Sequence, residues 1–225
     1  MTTNWYTFTT STELKIVGDY PQTDGMKLDY DLRKPTSVWN LPNCSFPDFE
    51  PDLDYFLLTK KAKLTDIVST ALINAAGFIV SEKVKNILSE FRLPEHKYFS
   101  AKLKYKNQIY SNYYWLHFGS DNAALIDFNN STFVRRDPIL TFNDDMEELV
   151  ISNVSDLDNE SRKDTVESIF PTSLQVNNQD GYDFLYFNDF WNNFFIKGTL
   201  LEKLLENNCT GCDYKKTSFQ LTESF

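Results

Sequence analysis

Residues 81–118 constrain this chain more than any other stretch. Ser81–Phe91 carries Val84, Ile87, Leu88 and Phe91 at i, i+3, i+4 and i+7, which gives a helix one apolar face. Ser81 is a good side-chain cap for the helix start, and Pro94 stands just past the end, where helices stop. His96–Tyr105 and Gln108–Phe118 then alternate on either side of Lys106-Asn107, the pattern of paired strands. A helix feeding an antiparallel meander is an α+β arrangement and not a series of βαβ units. The reading is a mixed, mostly antiparallel sheet with at least two amphipathic helices.

The second helix is expected at Gly198–Asn207, with Leu200, Leu201, Leu204 and Leu205 on one stripe. Gly211 follows it, a residue suited to a left-handed helix end. Asn4–Thr9 and Glu13–Val17 read as strands with Trp5, Phe8, Leu14 and Ile16 buried. Further strands are expected at Leu64–Ser69, Ala124–Phe128, Thr132–Arg135, Tyr182–Phe187 and Tyr214–Leu221. Asn143–Glu148 and Ser155–Lys163 are polar and acidic, the mark of loops or exposed helical turns. Pro35, Pro42, Pro47 and Pro51 make the stretch they span an irregular connection, because proline removes backbone donors. A soft boundary follows: residues 1–55 form a β-rich segment, separate or part of the same domain, and residues 56–225 form the α+β body. Phe78–Leu88 and Phe194–Leu204 resemble each other, either through duplication or because the same physics of helix entry wrote both.

Nineteen Phe, twelve Tyr and four Trp supply enough large apolar surface to fold the 225 residues. With seven Gly, and neither GxGxxG nor GxxxxGK[ST] present, there is little to build a phosphate-binding loop from. The formal net charge of −10 argues against a nucleic-acid surface, which needs Lys and Arg on phosphates, and against docking on an anionic leaflet. It suits either a basic protein partner or plain solubility. Met1–Tyr6 lacks the basic start and apolar core of a secretory signal. Ala71–Val80, the longest apolar stretch, is interrupted by Asn74 and too short to span a bilayer. A cytoplasmic location is therefore expected, and Cys44, Cys209 and Cys212, odd in number and sparse, are expected to be reduced.

The residues that could carry chemistry are few. Cys209-Thr-Gly-Cys212 follows the end of its helix, where the dipole opposes a thiolate, so it is the wrong place for a redox site. Zinc would need two more ligands from Cys44, His96 and His117. His117 lies in a predicted strand and reads as a packed or edge histidine, whereas His96 reads as solvated. No serine has a G-x-S-x-G setting. No catalytic residue, metal or cofactor is implied. Two acidic runs remain, Asp48, Glu50, Asp52 and Asp54, and Asp144, Asp145, Glu147 and Glu148. They read as solvated loops or as an acidic surface for a basic partner. An enzyme with an unrecognised carboxylate site is the second reading, and a CxxC redox or metal module the third.

Leu64–Val68, the run Val80–Leu88, Tyr113–His117 and Ile126–Phe133 together resemble a bacterial family, the myxococcal-type immunity proteins of polymorphic toxin systems. There a serine-capped helix follows a strand and leads to an aromatic strand, then to an element with Ile-Asp, Ser and Phe. The resemblance covers about residues 60–215; Lys197-Gly198 departs from it where a capping serine is expected. It implies a protein that binds and neutralises a cognate toxin encoded nearby, and it carries over no active-site residues. The oligomeric state does not follow from it.

Overall fold

A computed structural model describes residues 4–137, 146–163, 167–190, 194–217 and 221–223. The chain divides into two compact units, one of Thr9–Ser120 with Leu200–Asp213 and one of Met1–Phe8 with Asp121–Thr199 and Tyr214–Phe225. The Pro35–Pro51 stretch thus lies inside the first unit. In chain order the elements up to residue 118 are β1 (Trp5–Thr10), α1 (Leu14–Val17), β2 (Thr23–Met26), β3 (Phe56–Leu58), β4 (Ile67–Val68), β5 (Gly77–Ser81), α2 (Glu82–Leu88), β6 (His96–Tyr105) and β7 (Gln108–Phe118). After them come β8 (Thr132–Arg136), β9 (Glu147–Leu149), α3 (Val154–Ser161), β10 (Ser168–Val176), β11 (Phe184–Tyr186), β12 (Phe194–Lys197), α4 (Gly198–Glu206), β13 (Cys212–Lys216) and β14 (Leu221–Glu223).

The first unit is built on a sheet of order β2-β3-β6-β7-β5-β4, antiparallel except where β3 runs parallel to β6. Its centre is the predicted hairpin, with Tyr105 opposite Gln108 and Lys106 at φ 56 closing the turn. Alternation sends Phe99, Ala101 and Leu103 inward while Ser100 and Lys102 stay outside. They pack with Phe56, Ile79, Tyr113 and Trp115 in one core. The Ser81 hydroxyl accepts a hydrogen bond from the Val84 amide at 3.4 Å and caps α2, whose Val84, Ile87 and Leu88 are buried. Each such aliphatic side chain contributes about 2 kcal/mol by leaving water.

The second unit holds two sheets, β11-β12-β1-β13 and β14-β10-β8-β9. The β14–β10 pair is parallel, and β8–β10, β8–β9, β1–β12 and β11–β12 are antiparallel. Trp5, Phe133, Leu157, Leu174, Phe187 and Phe195 lie in its core. The chain is an α+β protein with mixed, mostly antiparallel sheets. Phe78–Leu88 and Phe194–Leu204 both run from a strand straight into a helix. Among the described residues no helix is long and apolar enough to cross a membrane.

Four local expectations change. Glu13–Val17 forms α1 instead of a strand: Gly18, at φ 77, returns its N–H to the Leu14 carbonyl and closes a helical turn. Val17 is buried on that turn and Leu14 is exposed. Ala124–Phe128 is not a strand: Ala124 and Leu125 belong to one short 3-10 turn and Phe128 to another, because Asp121 and Asp127 accept the amides of Ala123 and Asn129 and draw the backbone away from a ladder. Glu147–Leu149 is strand β9, while residues 143–145 lie outside the described residues. The left-handed end of α4 is Asn208 at φ 50 instead of Gly211. The amides of Asn208 and Cys209 donate to Leu205 and Leu204, so the paired terminal bonds of a Schellman ending are made one turn earlier than expected.

Candidate partner-binding surface

In the first acidic run the carboxylates are not equivalent. Asp48 and Glu50 are exposed. Asp54 pairs with Lys102 at 3.1 Å, and the Asp52 carboxylate accepts the Asp54 amide at 3.2 Å. The run is tied to the loop before it: the Tyr30 hydroxyl donates to the Asp52 carbonyl and accepts from the Val38 amide, and the Asp52 amide donates to the Thr36 carbonyl. On that loop Ser37 caps a 3-10 turn, Val38–Asn40, which buries Val38 and leaves Trp39 62% exposed. Leu28 on the same loop is fully exposed. Two outward apolar side chains are thus held on a braced loop that is hydrogen-bonded to the acidic run. Trp39 and Leu28 were not candidates from sequence, where the signal for Trp39 was its place among prolines, unlike the alternating Trp115.

The second run is placed differently. Asp144 and Asp145 lie outside the described residues, and Glu148 is exposed on β9. Glu147 lies opposite Arg135 in the β8–β9 pair, with its carboxylate 3.5 Å from the guanidinium. Arg135 is buried and reaches the α3 residue Glu160 at 2.6 Å. Lys163, then Arg135, hold the Glu160 carboxyl below the usual carboxylate range, against a desolvation that works the other way. Part of this run is therefore committed to internal pairing.

A cleft of about 320 Å³ lies beside α3, where Glu160, Glu167 and Asp189 meet Ser161, Ser168 and Asn188. Glu160 is ion-paired there, and Asp189 accepts the Ser161 hydroxyl at 2.8 Å. Burial pushes the Asp121 carboxyl up, but Asp121 is not among the described residues lining that cleft. Among the described residues no group of three or more His, Cys, Asp and Glu is placed to hold a metal ion. Burial raises the Cys209 thiol and pushes Cys212 up to about 12, with the charges of Cys209 and Asp213 adding to it, so both are poor nucleophiles at neutral pH.

His96 Nδ1 donates to the Pro94 carbonyl at 2.7 Å, and the ring is half-buried. His117 is fully buried. Its Nδ1 accepts the Trp115 indole N–H at 3.2 Å, so the proton of a neutral ring sits on Nε2 and is donated to the Ser45 carbonyl at 2.7 Å. Burial is the largest influence on it and lowers its pKa from 6.5; Lys97 adds to this, and the Ser45 bond opposes it. The folded state therefore favours neutral His117, and its contribution to stability is fully present above about pH 6.5 and lost as pH falls through the lowered folded value. Urea midpoints measured from pH 8 to pH 5 should fall for the wild type. The fall should be shallower in His117→Gln, and equal slopes would remove His117 from the account.

The Asp66 carboxylate joins segments that sequence reading kept apart. It accepts the Thr210 amide at 3.0 Å, the Thr210 hydroxyl at 3.2 Å and the Ser81 hydroxyl at 3.0 Å, and pairs with Lys83 at 2.9 Å. The Ile67 amide donates back to the Thr210 carbonyl. This holds Thr210-Gly211 against β4, so the CxxC segment is part of a structural clasp. Comparison with protein-family models finds no match, and comparison with curated proteins finds none.

Proposed function

We propose that this chain is a binding protein that neutralises a cognate bacterial toxin by direct contact, in the cytoplasm of the producing cell and without catalysis. The observation that carries the reading is exposed Trp39 on a loop that Tyr30 ties to the acidic run. A rigidly mounted Trp is a typical interface anchor, and an acidic rim speeds encounter with a basic partner. The residues that resemble the toxin-immunity family supply the class of partner. A toxin acting on nucleic acid or another anionic substrate carries the basic site that Asp48 and Glu50 would face.

The test is co-expression with the product of a neighbouring toxin-like gene. Rescue of growth and co-purification are expected, and a toxic neighbour that this chain neither neutralises nor retains would sink the reading. Trp39→Ala and the Asp48→Lys/Glu50→Lys pair should each weaken the complex by about tenfold or more, the charge reversal chiefly through the association rate. Surface plasmon resonance at two salt concentrations separates the two effects.

A further inference from the structure

The second unit contains a cleft of the opposite character to the acidic runs. Its volume is about 300 Å³, at the lower end of the range for small-molecule sites. Ile169 and Phe170 of β10 and Phe195 of β12 give it apolar walls, and Arg136 of β8 with Lys215 and Lys216 of β13 give it three cations. No carboxylate is among the described residues that line it. The neighbouring Arg135 is saturated by Glu147 and Glu160, and Lys163 and Lys197 pair with Glu160 and Asp183. By contrast Arg136, Lys215 and Lys216 have no carboxylate partner among the described residues, in a chain whose net charge is −10.

Arg136 is the informative side chain. Its guanidinium lies 4.2 Å over the Phe170 ring, and its Nε is buried with no hydrogen-bond partner. A buried donor without an acceptor costs about 1–3 kcal/mol, so an acceptor arriving from outside has free energy to recover. Stacking occupies the face of the guanidinium and leaves its edge for an oxyanion, the geometry in which arginine binds phosphate with two parallel hydrogen bonds. Three positive groups favour a dianion over a monoanion, since each charge adds to the same Coulomb attraction.

We propose that this cleft binds a phosphate monoester bearing an aromatic group, with Arg136, Lys215 and Lys216 on the phosphate and the ring against Phe170, Ile169 and Phe195. The site is independent of the partner surface in the other unit, and its test uses the purified full chain alone. Isothermal titration with phenyl phosphate should give saturable one-to-one binding. The uncharged analogue benzyl alcohol should give none, and inorganic phosphate should bind more weakly by about tenfold, having no ring to place on the apolar wall.

Arg136→Met and the surface pair Lys215→Glu/Lys216→Glu should each lose about tenfold or more in affinity for phenyl phosphate. The lysines are exposed, so the pair reports on the site even where the Met variant melts early. Absence of binding at millimolar phenyl phosphate overturns the proposal. So does unchanged affinity in the Lys215→Glu/Lys216→Glu variant, which would place the ligand elsewhere, and so does equal binding of benzyl alcohol.

Discussion

Arg135→Ala is expected to destabilise the protein by about 2–4 kcal/mol, through a lost charge-assisted hydrogen bond and the void left by a buried side chain. Arg135 is 5% exposed, and one of its nitrogens donates both to the Glu160 carboxylate at 2.6 Å and to the Glu160 carbonyl at 3.0 Å. Truncation leaves the carboxylate with Lys163 alone, strips the carbonyl of this donor and opens a void beside β8. The urea midpoint should drop accordingly, with little change in the denaturant slope. Glu147→Ala, which removes the other carboxylate, should cost no more than about 1 kcal/mol, because its side chain is 63% exposed and solvent screens the pair. Combining Arg135→Met with Glu160→Gln should restore part of the loss, because methionine fills the void and no carboxylate is left short of its second partner. If Arg135→Ala unfolds within 1 kcal/mol of wild type, about the worth of one ordinary hydrogen bond, the buried bridge is not what joins α3 to β8.

Local signals account for what the sequence made legible. Strands β6 and β7 and the capped helix α2 were readable because alternation, a two-residue turn and a serine cap act within a few residues of each other. α1 was misread because a four-residue segment shows too little periodicity to separate a helical turn from a strand, and Gly18 decided it. The Asp66–Thr210 contact joins residues 144 positions apart, and neither residue type marks it in advance. For the candidate surface the charge was visible but its allocation was not. Asp54 is tied to Lys102 and Glu147 to Arg135, whereas Asp48, Glu50 and Glu148 remain outward. Trp39 was hard to single out for a related reason: most aromatics here are core, and its place among prolines marks a loop without saying that the ring faces solvent. The basic cleft draws on β8, β10, β12 and β13, strands far apart in sequence, so Arg136 and the Lys215-Lys216 pair do not fall in one stretch of the chain.

Gly211→Ala is the second substitution with a large expected cost, about 3 kcal/mol or more. The glycine sits at φ +90, where an L side chain is strained by about 1–2 kcal/mol. Space is the larger obstacle. An added Cβ would lie 2.0 Å from the Ile67 carbonyl oxygen and 2.7 Å from the Thr65 hydroxyl, and neither is the end of a flexible chain. Thr65 is itself held, accepting from the Gln22 amide and donating to the Ile67 carbonyl, so relief must come from moving the 210–211 segment away from β4. That movement breaks the bonds from Thr210 to Asp66 and from Ile67 to Thr210. A loss of about 3 kcal/mol lowers Tm by roughly 6–12 °C in a chain of this size. Gly25→Ala is the matched control, because nothing lies within 4 Å of a Cβ there, and it should stay within about 0.5 kcal/mol of wild type. Hydrogen exchange distinguishes the clasp from a general loss of stability. In Asp66→Ala the Thr210 amide should lose its protection ahead of the β6–β7 amides, and uniform loss across both would mean that Asp66 does not hold the segment.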